Sequence, residues 1–87
     1  MGMFRTAVLS IDRSTVLPLL YEYDPAAQSF RSVGFVRVGS RMVPEISHRA
    51  ADTPAGRDDF LLTVLRTLMI PERAAKKIVR KAQHEAS

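Results

Sequence analysis

The chain lacks cysteine and tryptophan, and holds two histidines, two tyrosines and four phenylalanines in 87 residues. Without thiols there can be neither a disulfide nor a thiolate metal ligand to reinforce the fold. Stability must come from apolar burial or from a partner, and a chain this short buries only about 60–65% of its unfolded surface. That leaves room for one sheet and one or two helices in a single domain, 1–87, with little space for an enclosed cavity, so no small-molecule substrate is expected. The lack of cysteine fits a reducing cytoplasm.

Long apolar runs are also missing. None approaches the ~20 residues a bilayer span needs, so no membrane partner is expected. The stretch after Arg5 is cut by Asp12-Arg13 and has no A-x-A-like cleavage site, unlike a signal peptide. Met1-Gly2-Met3-Phe4-Arg5-Thr6 matches the myristoylation pattern, but Met3 onward has the composition of a strand. No P-loop, G-x-G-x-x-G, G-x-S-x-G or H-E-x-x-H occurs. Ser47, His48 and Asp52 share a loop, yet catalytic triads are assembled by geometry and not by adjacency in sequence. With His48 and His84 the only imidazoles, the chain is expected to be non-catalytic, with no cofactor and no metal.

What is present is a mild positive charge, +4, from thirteen Lys and Arg against nine Asp and Glu. Such an excess attracts polyanions without specifying one. Arginine dominates the cations, and with many alanines this composition suggests a GC-rich bacterial or phage gene. The lysines, Lys76, Lys77 and Lys81, all fall near the C-terminus.

The first half reads as strands at about 3–11, 15–23, 29–38 and 41–47. Leu17, Leu19, Tyr21 and Tyr23 share one face at period two. Pro18 removes a backbone donor, so its strand is expected at an edge or bulged there. Asp24-Pro25-Ala26-Ala27-Gln28 has hairpin-loop chemistry, and Gly34 marks a bulge. Gly39-Ser40 is a type II′ hairpin signal. The short connections predict an antiparallel meander.

From Phe60 the apolar period becomes 3.6 and predicts a largely buried helix at about 57–69, with Thr53-Pro54 or Asp58 as its start signal. Pro71 ends it and opens a second helix, expected over 71–85. On that helix Ala74, Ala75, Ile78, Val79 and Ala82 share an arc of about 140°. Arg73, Lys76, Lys77, Arg80, Lys81 and His84 lie opposite. The fold class expected is therefore α+β: a small antiparallel sheet of about four strands followed by two C-terminal helices packed on one face.

A dry aliphatic stripe backed by a wet cationic one makes Arg73, Lys76, Lys77, Arg80 and Lys81 the expected contacts for nucleic acid or another polyanion. The alternative is a regulator or inhibitor, of the kind phages and mobile elements encode, that uses an exposed sheet face, a sheet edge or the basic helix against an acidic protein partner, or forms a homodimer that completes a small core. Tyr21 and Tyr23, an i, i+2 pair, are the candidate aromatic contact. Arg31-Ser-Val-Gly-Phe-Val-Arg-Val38 resembles half of an RNP1 element but lacks its stacking aromatics. The junction at Ile70-Pro71 is too tight for a helix-turn-helix.

Overall fold

A computed structural model describes residues 3–86. Its strands and helices follow the chain as β1 (Met3–Ser10), β2 (Val16–Asp24), β3 (Ser29–Ser32), β4 (Val36–Val38), β5 (Arg41–Val43), β6 (Ser47–Arg49), α1 (Pro54–Thr67), α2 (Glu72–Arg80) and β7 (Gln83–Ala86). The α+β class stands. The main sheet has five strands in the order β6-β3-β2-β1-β7, every pairing antiparallel, and β4 and β5 form a separate hairpin. The myristoylation pattern begins at Met1-Gly2, outside the described residues.

One face of the sheet supplies Ala7, Leu9, Leu17, Leu19, Tyr21, Tyr23 and Phe30, all buried. Phe60, Leu61, Val64, Leu65 and Leu68 of α1 and Ala75, Ile78 and Val79 of α2 are buried with them in one core. The aromatic centre is continuous: Tyr21 lies 5.5 Å from Phe60, Phe60 5.6 Å from Phe30 and Phe30 4.7 Å from Tyr23. This packing corrects one expectation. Tyr21 and Tyr23 are core side chains, 1% and 8% exposed, and offer no aromatic platform to a partner.

The expected third and fourth strands each break in two. Gly34 takes φ +76 and turns the chain away after Val33, whose N–H still donates to the Leu20 carbonyl. Pro44 ends β5, and Ile46 then returns to β3: its N–H donates to Ser32 Oγ at 2.8 Å and its carbonyl accepts from Ser32 N–H at 2.9 Å. The Gly39-Ser40 hairpin forms as read, with Val38 opposite Arg41 and φ +60 at Gly39. Arg41 then donates to the Leu68 carbonyl, tying this hairpin to the end of α1.

Pro18 lies in the central strand, opposite Val8 of β1. Leu20 turns its carbonyl toward the β3 side, and backbone groups two residues apart face the same way. The missing Pro18 N–H therefore falls where β2 has run past the end of β3, which pairs only with Tyr21–Asp24. The strand is central at one end and an edge at the other, so proline is tolerated there.

Thr53 caps α1, accepting from Gly56 N–H at 3.0 Å, with Pro54 following, so the helix starts three residues before the expected 57. At the other end Met69 N–H donates to the Arg66 carbonyl and Ile70 N–H to the Leu65 carbonyl, with Met69 at φ +66. That is a Schellman cap with methionine in the left-handed position usually held by glycine.

The second correction concerns α2. It ends at Arg80, not 85, and Gln83–Ala86 turn into β7 beside β1. The residues Gln83, His84 and Glu85 favour helix, but the apolar stripe has run out at Ala82 and β1 offers an unpaired edge. Satisfying that edge outweighs one more exposed helical turn. His84 consequently leaves the cationic helix face and sits opposite Ala7.

Candidate functional site

The five cations expected to bind a partner remain together. Ala75, Ile78 and Val79 dock α2 on the core, which fixes the helix about its axis and turns Arg73, Lys76, Lys77, Arg80 and Lys81 outward, all exposed. Ala74, expected on the buried stripe, is exposed beside them. From Arg73 to Lys81 the rise is about 12 Å, and side chains four apart are spaced about 6 Å along the axis. Arg73, Lys77 and Lys81 form one row, and Lys76 and Arg80 a second.

None of these five side chains makes an ion pair or a side-chain hydrogen bond among the described residues. Five carboxylates are engaged elsewhere. Asp52 binds Arg5 in a fork at 2.6 and 2.7 Å. Glu22 and Glu45 both bind Arg31, and Asp58 binds Arg57. Glu72, on the first turn of α2 and closest in sequence to the stripe, forks onto Arg66 at 2.8 and 2.7 Å. That hydrogen bond holds the Glu72 carboxyl below its ordinary pKa and raises the Arg66 guanidinium. Arg66 thus takes the one acidic group that could have neutralised the helix from within. Cations at the C-terminal end of α2 are also favoured by its dipole, by about 0.3–1 kcal/mol each at low salt.

His84, displaced from the stripe, joins Arg5, Tyr21, Arg57 and Glu85 around a shallow pocket between β7, β1 and α1. Burial, and then the neighbouring Arg57 charge, lower the His84 pKa. Burial raises the Tyr21 phenol against the opposing pull of Arg5 and Arg57. Each arginine already has its carboxylate, so the pocket carries no surplus charge for an anion. Among the described residues no three His, Cys, Asp or Glu side chains converge as metal ligands would.

Sequence alone assigned no residues to the exposed sheet face expected in the alternative. Val16 and Leu20 of β2, with Val33 and Phe35 beyond β3, are 40–68% exposed there, next to Pro18 and Val8. Val16-Leu-Pro-Leu-Leu20 is apolar on both parities, and that run was the available signal.

Compared with protein-family models, curated proteins and solved structures, the chain matches none. What can be said of function therefore rests on the surface itself.

Proposed function

We propose that the chain is a non-catalytic binding module that contacts a polyanion, nucleic acid foremost, through Arg73, Lys76, Lys77, Arg80 and Lys81. The supporting observation is that all five are exposed, aligned on one docked helix and, among the described residues, in no ion pair. A phosphate backbone laid along the stripe would release counterions at each contact. Tyr21 and Tyr23 lie in the core and bring no ring to the stripe, so recognition would be of charge and not of sequence. A reducing, cytoplasmic setting fits a chain without thiols.

The same absence of stacking groups favours one second reading, a regulator that sets this stripe against an acidic protein surface. Both partners offer negative charge, and the salt slope separates them. Five phosphate contacts on duplex predict that log K falls with log salt at a slope of about 4.5, or about 3.5 on a single strand. Changing Lys76, Lys77, Arg80 and Lys81 to Gln should cut the duplex slope to about 0.9. Fluorescence anisotropy with labelled duplex and single-stranded DNA, across a salt series, makes the measurement. Binding by the wild type that the variant retains unchanged would remove the stripe from the interface. No binding to either nucleic acid, with capture of one acidic protein lost in the variant, would establish the second reading.

A further inference from the structure

We infer that the sheet face opposite the helices is the contact surface for a second copy of this chain, the two sheets packing face to face about a two-fold axis.

An antiparallel sheet can leave one face to solvent, but such a face normally alternates to polar residues. Here β2 presents Val16, Pro18 and Leu20 outward while Leu17, Leu19 and Tyr21 face the core. Across the pair Val8 lies opposite Pro18, and Thr6 opposite Leu20. Val33 is hydrogen-bonded beside Leu20, and Phe35 follows it, 68% exposed. The exposed parts of these side chains come to about 500 Å² on one copy, so a paired face would bury about 1,000 Å², the lower end of what specific association requires.

Two features choose a second copy over an unrelated partner. The ion pairs here, Glu22 and Glu45 with Arg31, are internal to the chain, and Arg37 is the charged residue that lines the groove. An acidic partner would meet five unpaired cations on the helix side and one, Arg37, at this groove. The surface is also complementary to itself. A groove of about 260 Å³ runs between the free edge of β2 and the segment after β3, lined by Leu17, Pro18, Leu20, Val33, Val36 and Arg37 together with Phe35, which is 68% exposed. A two-fold axis sets any feature of a patch against that same patch, so a projecting ring beside an apolar groove can fill its twin's groove while its own is filled. Aligned sheet packing of this type needs a spacing of about 10 Å, met by interdigitating Val, Leu and Phe side chains. The α2 helices of the pair would then lie on opposite outer surfaces, away from mutual repulsion.

Sedimentation equilibrium of the full chain, from micromolar to millimolar, tests this. The expected result is a reversible monomer–dimer equilibrium that the double variant Leu20→Lys, Phe35→Lys shifts to monomer by at least tenfold in Kd, with an unchanged thermal midpoint at concentrations where both proteins are monomeric. Wild type remaining monomeric through the millimolar range overturns the inference, and so does a dimer that the double variant leaves intact. Should that variant fail to fold, isotope-filtered NOEs on mixed labelled wild type decide. Contacts between copies at Val16, Leu20, Val33 or Phe35 uphold the inference, and contacts only elsewhere overturn it. Changing the α2 cations to Gln should leave the dimer unchanged, so this test fails or succeeds apart from the polyanion proposal.

Discussion

Met69 is the position where a single substitution should make this chain more stable. Its φ of +66 lies in the left-handed region, where an L side chain crowds the following carbonyl at a cost of about 1–2 kcal/mol. The conformation is held by the Schellman bonds at the end of α1 and cannot relax without breaking them. Little holds the side chain itself, which is 74% exposed. Met69→Gly should release the strain, lose a few tenths of a kcal/mol of packing, and restore about 0.5–1 kcal/mol of unfolded-chain entropy. The net expectation is a gain of about 0.5 kcal/mol, or about 2–4 °C in Tm for a domain of this size. Met69→Ala is the control, because it removes the same contacts and keeps the strain. Scanning calorimetry and urea melts of the three proteins give the answer. A glycine variant no more stable than the alanine variant would refute the claim that backbone conformation, not side-chain burial, sets the energy at this cap.

Gly56→Ala should act oppositely. An added Cβ would sit 2.0 Å from the Ala51 carbonyl oxygen, so the first turn of α1 must shift, and urea melts should show a loss of about 1–3 kcal/mol. The hydrogen bond from Arg5 lowers the Asp52 pKa, so the stability this pair contributes is complete above pH about 4 and is lost as pH falls below it. Asp52→Asn should therefore flatten the acid limb of a Tm–pH profile. His84 is depressed by burial and by Arg57, so the unfolded chain takes up its proton first, and stability should fall as pH drops below about 6.5. His84→Gln should remove that step, seen as an unchanged Tm across the same range.

Much of the core was legible because its periodicity is strong. Leu17, Leu19, Tyr21 and Tyr23 mark one sheet face, and Phe60 to Leu68 one helix face, in residue types with few alternatives. The Gly39-Ser40 hairpin was legible because its glycine has a specific conformational task. What escaped depended on distant residues. Ile46 leaves the expected strand because Ser32, far back in the chain, offers it both a donor and an acceptor. Gln83–Ala86 carry no strand propensity, and only the free edge of β1 makes them one. The cationic stripe was readable at helical spacing, except for His84, which depended on where the helix stopped. The outer apolar face was harder, since Val16, Pro18 and Leu20 look alike whether a neighbour covers them or not.

Net charge understates what the surface of this chain presents. Four arginines, Arg5, Arg31, Arg57 and Arg66, are each matched to carboxylates, so beyond a few ångströms they contribute little field. The excess of +4 is therefore not spread over the molecule. Of the nine cations without a carboxylate partner among the described residues, five lie on α2 and Lys81, and Arg13, Arg37, Arg41 and Arg49 lie apart from them. The stripe is about 12 Å long, and the Debye length at physiological salt is about 8 Å. A small anion at one end would feel only the nearest few charges, whereas a polyanion lying along the axis would meet all of them within screening distance. The placement of the carboxylates, more than the number of cations, thus favours an extended ligand over a compact one. Within that arrangement, the fork from Arg66 to Glu72 is what keeps the first turn of α2 positive.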